Sequence, residues 1–281
     1  MKTIYIVSLS GGKDSTACLM YCINKYPKDK LRFIFADTNW EHEETYKYLE
    51  YLELLLDIEI VRLKSTKYKG MEDLCIKKGL FPTRLKKFCT IELKIIPILE
   101  YYEKLKNQGF KVISVVGVRQ DESEKRKPEQ LWKTNFIKTP QFNQWNNLKN
   151  TNKSKAVKNY YSKENTITVY QPIVYWTTQQ VYDYVKSNNV ELNPLYKKGL
   201  SRVGCYPCIN ANKTEIGLLD DTAIKKVHNL ENKINENYPN KNATFFYKGT
   251  KGIHILALVE KYKINSLGLD LGCMNQYGLC E

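Results

Sequence analysis

Residues 3–15 read Thr3-Ile4-Tyr5-Ile6-Val7-Ser8-Leu9-Ser10-Gly11-Gly12-Lys13-Asp14-Ser15. The stretch 3–8 is an apolar run of strand length. Beyond the loop at 9–13, Ala17, Leu19, Met20 and Ile23 recur at helical intervals as far as about Tyr26. A strand, a glycine loop and a helix therefore follow one another directly. Two adjacent glycines let the backbone turn tightly and present successive N–H groups to an anion. The helix N-terminus behind them adds about half a positive charge. Lys13 supplies a mobile cation, and the hydroxyls of Ser10 and Ser15 are neutral donors. The loop lacks the Gly-Lys-Ser/Thr ending of the longer Walker loop. The segment predicts a phosphate site built from Ser10, Gly11, Gly12, Lys13, Asp14 and Ser15.

Strand and helix patterns keep alternating outward from this loop. Residues 32–36 predict a second buried strand ending at Asp37, followed by a helix over 42–56, a strand over 58–63 and a short helix over 70–79 that stops at Gly79. A longer helix is expected over 90–107 and a fourth strand over 112–116. The stretch 141–165, rich in Asn, Lys and Ser, reads as a surface insertion that could lie over a nucleotide. A fifth strand follows at 167–174. Thr177-Thr178-Gln179-Gln180 is a capping box opening a helix to about Ser187. Residues 193–217 read as loop, 218–238 and 252–263 as helices. This alternation predicts an α/β fold with a mainly parallel sheet covered by helices on both faces. We expect a nucleotide-binding domain over 1–190 and a small cysteine-containing region over 191–281. Asp37, at the end of a strand where parallel sheets bind ligands, is a candidate for the nucleotide's ribose or for Mg²⁺.

The 281 residues are 42% hydrophobic and 26% charged, an ordinary globular composition. No apolar run reaches the roughly 18 residues that span a bilayer, and the N-terminus has no secretory pattern, so the expectation is a cytosolic protein with no membrane partner. The formal charge of +14 is carried by 38 Lys and only 6 Arg. It is consistent either with a basic face for anionic partners or with the lysine bias of an AT-rich genome. The rarer arginines are more telling, because Arg84, Arg119, Arg126 and Arg202 all fall near motifs.

Eight cysteines in a cytosolic chain point away from a disulfide framework. Cys205 and Cys208 form a C-x-x-C pair able to chelate a metal or donate to a cluster. Cys89 precedes an expected helix, whose N-terminus would lower its thiol pKa. With Cys89 the pair makes three thiolates, and Cys273 and Cys280 are candidates for a further ligand. An iron–sulfur cluster, a zinc site, and redox or structural thiols all remain open. Cys18 and Cys22, four apart on the first helix, and Cys75 are assigned to the core. Arg119, just beyond the fourth strand, should point toward the crevice, where a guanidinium can hold phosphate or sulfate oxygens. Lys94, Arg126 and Arg84 are possible assistants. The three histidines, His42, His228 and His254, show no metal spacing.

Three blocks carry a resemblance: the Ser-Gly-Gly-x-Asp-Ser loop at 10–15, Arg84…Cys89-Thr90…Leu93-Lys94…Pro97, and Gly204-Cys205-Tyr206-Pro207-Cys208. Together with Gly117-Val118-Arg119 they resemble the PP-loop proteins of the phosphoadenosine phosphosulfate reductase (sulfonucleotide reductase) superfamily. Within it they are most similar to DndC-like, DNA-phosphorothioation members and phage-type members. The resemblance runs from about residue 3 to 216. It implies a Rossmann-like, HUP-type fold and a loop that grips the phosphates of ATP or of an adenylyl sulfate nucleotide. Lys13, Arg119 and Cys89 would be catalytic, and Mg²⁺ would be a cofactor. It also implies an iron–sulfur cluster on Cys89, Cys205, Cys208 and Cys280. Adenylylsulfate reductases carry a Cys-Cys pair where this chain has Phe88-Cys89-Thr90, so the cluster and that reaction do not transfer directly.

Two enzymatic expectations follow. In one, ATP is split at the α-phosphate, an acceptor is adenylated, and sulfur from a donor such as a cysteine desulfurase displaces AMP. The basic charge makes a nucleic-acid acceptor a candidate. In the other, a thiolate attacks the sulfur of an adenylyl sulfate nucleotide, and a thioredoxin-like reductant releases sulfite. A third expectation is a non-catalytic nucleotide-binding subunit.

Overall fold

The computed structural model describes residues 1–136, 166–248 and 251–266. The expected insertion at 141–165, Cys273 and Cys280 lie outside the described residues. The chain divides into two compact units, 1–36, 58–63 and 95–191 in the first, and 37–57, 64–94 and 192–281 in the second.

The first unit is a six-stranded α/β sheet. Its strands are β1 (Thr3–Leu9), β2 (Leu31–Ala36), β3 (Ile60–Leu63), β4 (Lys111–Val115), β5 (Trp132–Phe136) and β6 (Thr166–Tyr170), in the order β3-β2-β1-β4-β6-β5. All neighbours pair in parallel except β5, an edge strand antiparallel to β6. Its helices are α1 (Lys13–Lys25), α4 (Ile96–Asn107) and α5 (Thr178–Ser187). Side-chain alternation along β1 explains the two covered faces. Ile4 and Ile6 pack with Tyr102 and Leu105 of α4 and with Val112, Ile167 and Val169. Tyr5 points the other way and stacks at 3.9 Å on Tyr26, the residue that ends α1. After β1 the chain adds β2 and β3 on one side, then β4 on the other. This reversal opens a crevice at the carboxyl ends of β1 and β4, where such sheets bind ligands.

The second unit holds α2 (Glu43–Leu56), α3 (Met71–Lys78), α6 (Lys213–Gly217), α7 (Asp221–Asn237), the hairpin β7 (Phe246–Lys248) with β8 (Lys251–Ile253), and α8 (Ile255–Ser266). On α7 the residues Ala223, Ile224, Val227, Leu230 and Ile234 recur at helical spacing and are buried against Leu74, Phe245 and Val259. Asp220 caps this helix, accepting from the Ala223 N–H at 2.7 Å.

Several elements differ from their sequence expectations. The helix expected over 90–107 is present as one helical run over 88–107, but it contains a wide turn at Ile91–Ile95 between Phe88–Thr90 and α4, with helical backbone at Ile91 and Ile95. Pro97, which has no N–H to donate to the preceding turn, lies just beyond the wide turn. The stretch 193–217, expected as loop, contains α6, whose Asn212–Glu215 capping box is complete. The helix expected over 252–263 begins only at Ile255, because 251–253 are taken by the hairpin strand β8.

Candidate functional site

The loop between β1 and α1 is held by its own hydroxyls. Gly11 has φ +75°, a left-handed conformation that a side chain would strain. Gly12 is the extended N-cap of α1, and its carbonyl accepts from Ser15 Oγ at 2.8 Å and Thr16 Oγ1 at 3.2 Å. Ser15 Oγ also accepts from the Ser10 N–H at 3.2 Å and lies 3.2 Å from Ser10 Oγ. The Gly12 N–H points to Ser10 Oγ at 3.4 Å. The arrangement fixes a turn directly in front of a 13-residue helix, the setting in which backbone N–H groups and the helix dipole bind anions. Lys13 Nζ lies 3.6 Å from the Asp14 carboxylate.

The segment after β4 closes on this loop. A Cβ on Gly117 would come within 2.8 Å of the Asp14 carbonyl group, so only glycine allows this approach. Two residues later Arg119 is 2% exposed. Its Nε donates to Asp14 Oδ1 at 2.6 Å, and its Nη1 donates to Asp121 Oδ2 at 3.1 Å and to the Trp176 carbonyl at 3.3 Å. Asp121 in turn accepts from the Thr178 N–H at 3.1 Å and from Thr178 Oγ1 at 3.2 Å. Its carboxyl is held below the usual range first by that backbone hydrogen bond, with Arg119 contributing. Arg119 thus ties the phosphate loop to the post-β4 segment and to the start of α5. Its guanidinium, expected on a phosphate or sulfate, lies here on two carboxylates. The Thr177–Gln180 capping box is present on α5 as expected.

A second cluster lies within the second unit. Cys205 Sγ is 3.6 Å from Glu41 Oε1 and 3.7 Å from Thr38 Oγ1, and Glu41 and Cys205 form an isolated antiparallel bridge. Glu41 is buried and accepts from Thr38 Oγ1 at 2.7 Å and from Thr38 N, Trp40 N and Tyr46 OH, each at 3.2 Å. Lys94, expected near Arg119, instead keeps company with Cys205, Glu41 and Cys208. The Cys205 thiol is the main influence raising its ammonium pKa. Burial pushes the Cys205 thiol up to about 11, against the pull of Lys94. Cys208 Sγ accepts from the Asn210 N–H at 3.4 Å. Cys89 requires a correction. It sits within the first helical turn, Phe88–Thr90, rather than ahead of the helix, and burial raises its pKa instead of a helix terminus lowering it. Glu41 was not singled out in the sequence; only an acid two residues after a strand-end Asn would have hinted at it.

Asp37 accepts from Tyr46 OH at 2.8 Å and from the Asn39 N–H at 2.9 Å, and pairs with Lys64 at 3.2 Å. Arg126 pairs with Glu122. Arg84 and Arg202 are exposed, and Arg84 donates to the Ala211 carbonyl at 3.4 Å. Cys18, Cys22 and Cys75 are buried. His42 caps α2, accepting from the Glu44 N–H at 3.0 Å. Among the described residues no group of three His, Cys, Asp or Glu side chains could hold a metal ion, so the thiols described do not amount to a cluster ligand set. Among the same residues no helix is long and apolar enough to cross a membrane.

The chain is similar to several known proteins. Residues 4–211 match the family model described as phosphoadenosine phosphosulfate reductase domain. A 37.8 kDa protein of Escherichia phage 186 is 30% identical over 267 residues, with 76% of this chain and 69% of that one covered. An adenosine 5'-phosphosulfate reductase of Staphylococcus haemolyticus is 25% identical over 209 residues, covering 68% and 71%. The chain spans only 36% of the length of a Methanocaldococcus jannaschii relative, which is 29% identical. Among solved structures, the phosphoadenylyl-sulfate reductase of Candida auris aligns with TM-score 0.49 at 16% identity, over 73% of this chain and 82% of that one.

Proposed function

The chain belongs to the phosphoadenosine phosphosulfate reductase domain family, and from that premise we propose that it activates an acceptor with ATP and supports transfer of sulfur to it. The observation that carries the nucleotide half of this reading is the Ser10–Ser15 loop, braced by Gly117 and Arg119 at the switch point of the sheet. In the proposal, the N–H groups at the start of α1 and Lys13 bind the β- and γ-phosphates. An acceptor oxygen attacks the α-phosphorus, the bond to the α,β-bridging oxygen breaks, and pyrophosphate leaves with its charge stabilised by the same donors. Arg119 keeps Asp14 and the loop in place and is a positioning residue in this scheme. Mg²⁺ would be carried mainly by the nucleotide's own phosphates, as is usual for this ion. A sulfur donor such as a cysteine desulfurase would leave a persulfide on one thiol of the cluster. Its outer sulfur would displace AMP from the acceptor, a second cluster thiol would release the thiolated product by forming a disulfide with the first, and a thioredoxin-like reductant would restore both thiols. A nucleic acid is the acceptor class that the +14 charge favours. Asp37 is proposed as a nucleotide contact and Cys89 as a member of the thiol cluster. No step is routed through an iron–sulfur cluster.

A second reading is favoured by the similarity to the adenosine 5'-phosphosulfate reductase of Staphylococcus haemolyticus. In it, the loop holds a sulfonucleotide, a thiolate attacks its sulfur as the bond to the phosphate oxygen breaks and the adenosine phosphate leaves, and a thioredoxin-like reductant releases sulfite from the enzyme thiosulfonate. Equilibrium binding of ATP with Mg²⁺, adenylyl sulfate and its 3′-phosphorylated form to anaerobically purified protein separates the two. Preference for ATP, with pyrophosphate release on adding acceptor, supports adenylation. Preference for a sulfonucleotide makes the protein a reductase. Gly12→Val should abolish binding of either ligand while leaving the melting transition intact, and normal binding by that variant would remove the loop assignment.

A further inference from the structure

The second unit contains a cavity of about 970 Å³ that the nucleotide chemistry does not use. Its walls come from segments on either side of the thiol cluster. Pro82–Leu85 run toward Cys89, and Ile209–Thr214 run on from Cys208. The apolar lining is Ile209, Ile216, Phe245, Phe246, Leu258 and Tyr262. Phe245 is locked edge-on between Phe81 at 5.3 Å and Phe246 at 4.9 Å and stacks on Trp40 at 6.0 Å, so the aromatic floor is preformed. A volume near the upper end of the range for small-molecule sites, with an apolar lining and few polar groups, is the usual form of a ligand pocket.

The charged lining is of one sign. Arg84 and Lys213 are both exposed at the cavity, and no carboxylate lines it among the described residues. Arg84 is oriented by its hydrogen bond to the Ala211 carbonyl, itself part of the wall. The nearest acid in sequence, Glu215, is buried and occupied by the Asn212 N–H at 3.0 Å and Ser201 Oγ at 2.6 Å. It does not neutralise the two cations at the cavity.

We propose that this cavity binds an amphipathic anion: an apolar or aromatic body of small-molecule size bearing one carboxylate, sulfonate or phosphate group, which is met by Arg84 and Lys213. The apolar body replaces water on the aromatic floor, and the charged group stays at the half-open edge where the cations are. A guanidinium is suited to a forked anionic group.

The test uses two dyes on the full chain. They are 8-anilinonaphthalene-1-sulfonate and N-phenyl-1-naphthylamine, which share an aromatic skeleton and differ in the sulfonate. The wild type should bind both at one saturable site. In the double variant Arg84→Gln/Lys213→Gln, the sulfonate dye should weaken about five- to tenfold, the range expected for two partly exposed ion pairs, while the neutral dye changes less than about twofold. Removing two charges that do not line the cavity, in Lys104→Gln/Lys111→Gln, should leave the ratio of the two affinities unchanged; an equal split in that variant would assign the effect to general charge and overturn the contact with Arg84 and Lys213. Ala211→Phe, which fills the cavity from its buried wall, should weaken both dyes more than tenfold with the cooperative melt retained. An unchanged ratio of the two affinities in the double variant overturns the anionic specificity. Absence of a saturable site in the wild type, or full binding of both dyes by a folded Ala211→Phe variant, overturns the site itself.

Discussion

Gly117→Ala is the sharpest test of how the phosphate loop is built. The substitution adds one methyl group at a residue whose φ any amino acid adopts, so no backbone strain is involved and the effect is steric alone. The methyl carbon would lie 2.8 Å from both the C and O atoms of Asp14 and 3.1 Å from the Ser15 N. These are backbone atoms and cannot rotate away. Forcing such an overlap in a packed site costs about 1–3 kcal/mol. The strain has two outlets. If the fold absorbs it, the melting temperature falls by about 2–4 °C per kcal/mol, as for chains of roughly this size. If the loop moves instead, the N–H groups that face the phosphates are displaced, and a loss of 1–3 kcal/mol in binding is about a five- to 150-fold rise in Kd. Differential scanning calorimetry together with calorimetric titration of ATP measures both outlets on one sample. A Gly117→Ala protein that melts and binds like the wild type would refute the contact between the post-β4 segment and the loop, and with it the account of why glycine stands there.

Three further outcomes are expected. Arg119→Gln leaves Asp14 and Asp121 without their shared cation; because both acids keep some solvent access, the loss should be about 2–4 kcal/mol, below the full cost of breaking a buried pair, with weaker ATP binding, and urea unfolding with titration would show a wild-type-like variant if the clamp is unimportant. Glu231→Ala removes a fully buried carboxylate that accepts from the Phe245 N–H at 2.9 Å and the Ile255 N–H at 3.1 Å; stranding two donors should cost about 2–5 kcal/mol in urea unfolding, with Glu231→Gln losing less, and equal losses for the two would discount the hydrogen bonds. Burial raises Cys22 to about 12 and raises Cys18 as well, so the folded chain holds these protons more tightly than the unfolded one. Their stabilisation is therefore complete below the ordinary thiol pKa near 8.5 and is lost as pH rises toward 12. The urea midpoint should fall from about pH 9 upward, and less steeply in Cys18→Ala/Cys22→Ala; identical slopes would rule the two thiols out as the cause.

The first unit was legible because its signals are local. The run Thr3–Ser8, the paired glycines and the helical spacing after Lys13 all lie within one stretch of chain, and strand–helix alternation fixes the class of sheet. The capping box at Thr177–Gln180 was readable for the same reason. What failed to show was long-range. Arg119 could be singled out, but its partner Asp14 stands 105 positions earlier, and nothing in either neighbourhood says that the guanidinium is used on a carboxylate. Strand β5 pairs antiparallel at the sheet edge and has no alternating apolar pattern to mark it. That 37–57 and 64–94 pack with 192–281 in one unit depends on tertiary burial of residues such as Trp40, Leu74 and Phe81, which look the same in sequence as core residues of any other unit.

The surroundings of Cys205 constrain any sulfur chemistry proposed for it. A thiol raised to about 11 is almost wholly protonated near neutral pH, so it is a poor nucleophile until a base takes its proton. The carboxylate nearest to it, Glu41 Oε1 at 3.6 Å, accepts four other hydrogen bonds. Its negative charge opposes ionisation of the Cys205 thiol. Lys94 works in the other direction, since its ammonium stabilises a thiolate on Cys205. The pair therefore sets the thiol between a cation that rewards ionisation and an anion that resists it, with burial deciding for the protonated form in the free protein. Anything that brings further positive charge or excludes the Glu41 field would tip Cys205 toward thiolate. Replacing Lys94 by Met should raise the thiol pKa further and slow its alkylation at fixed pH, and replacing Glu41 by Gln should do the opposite.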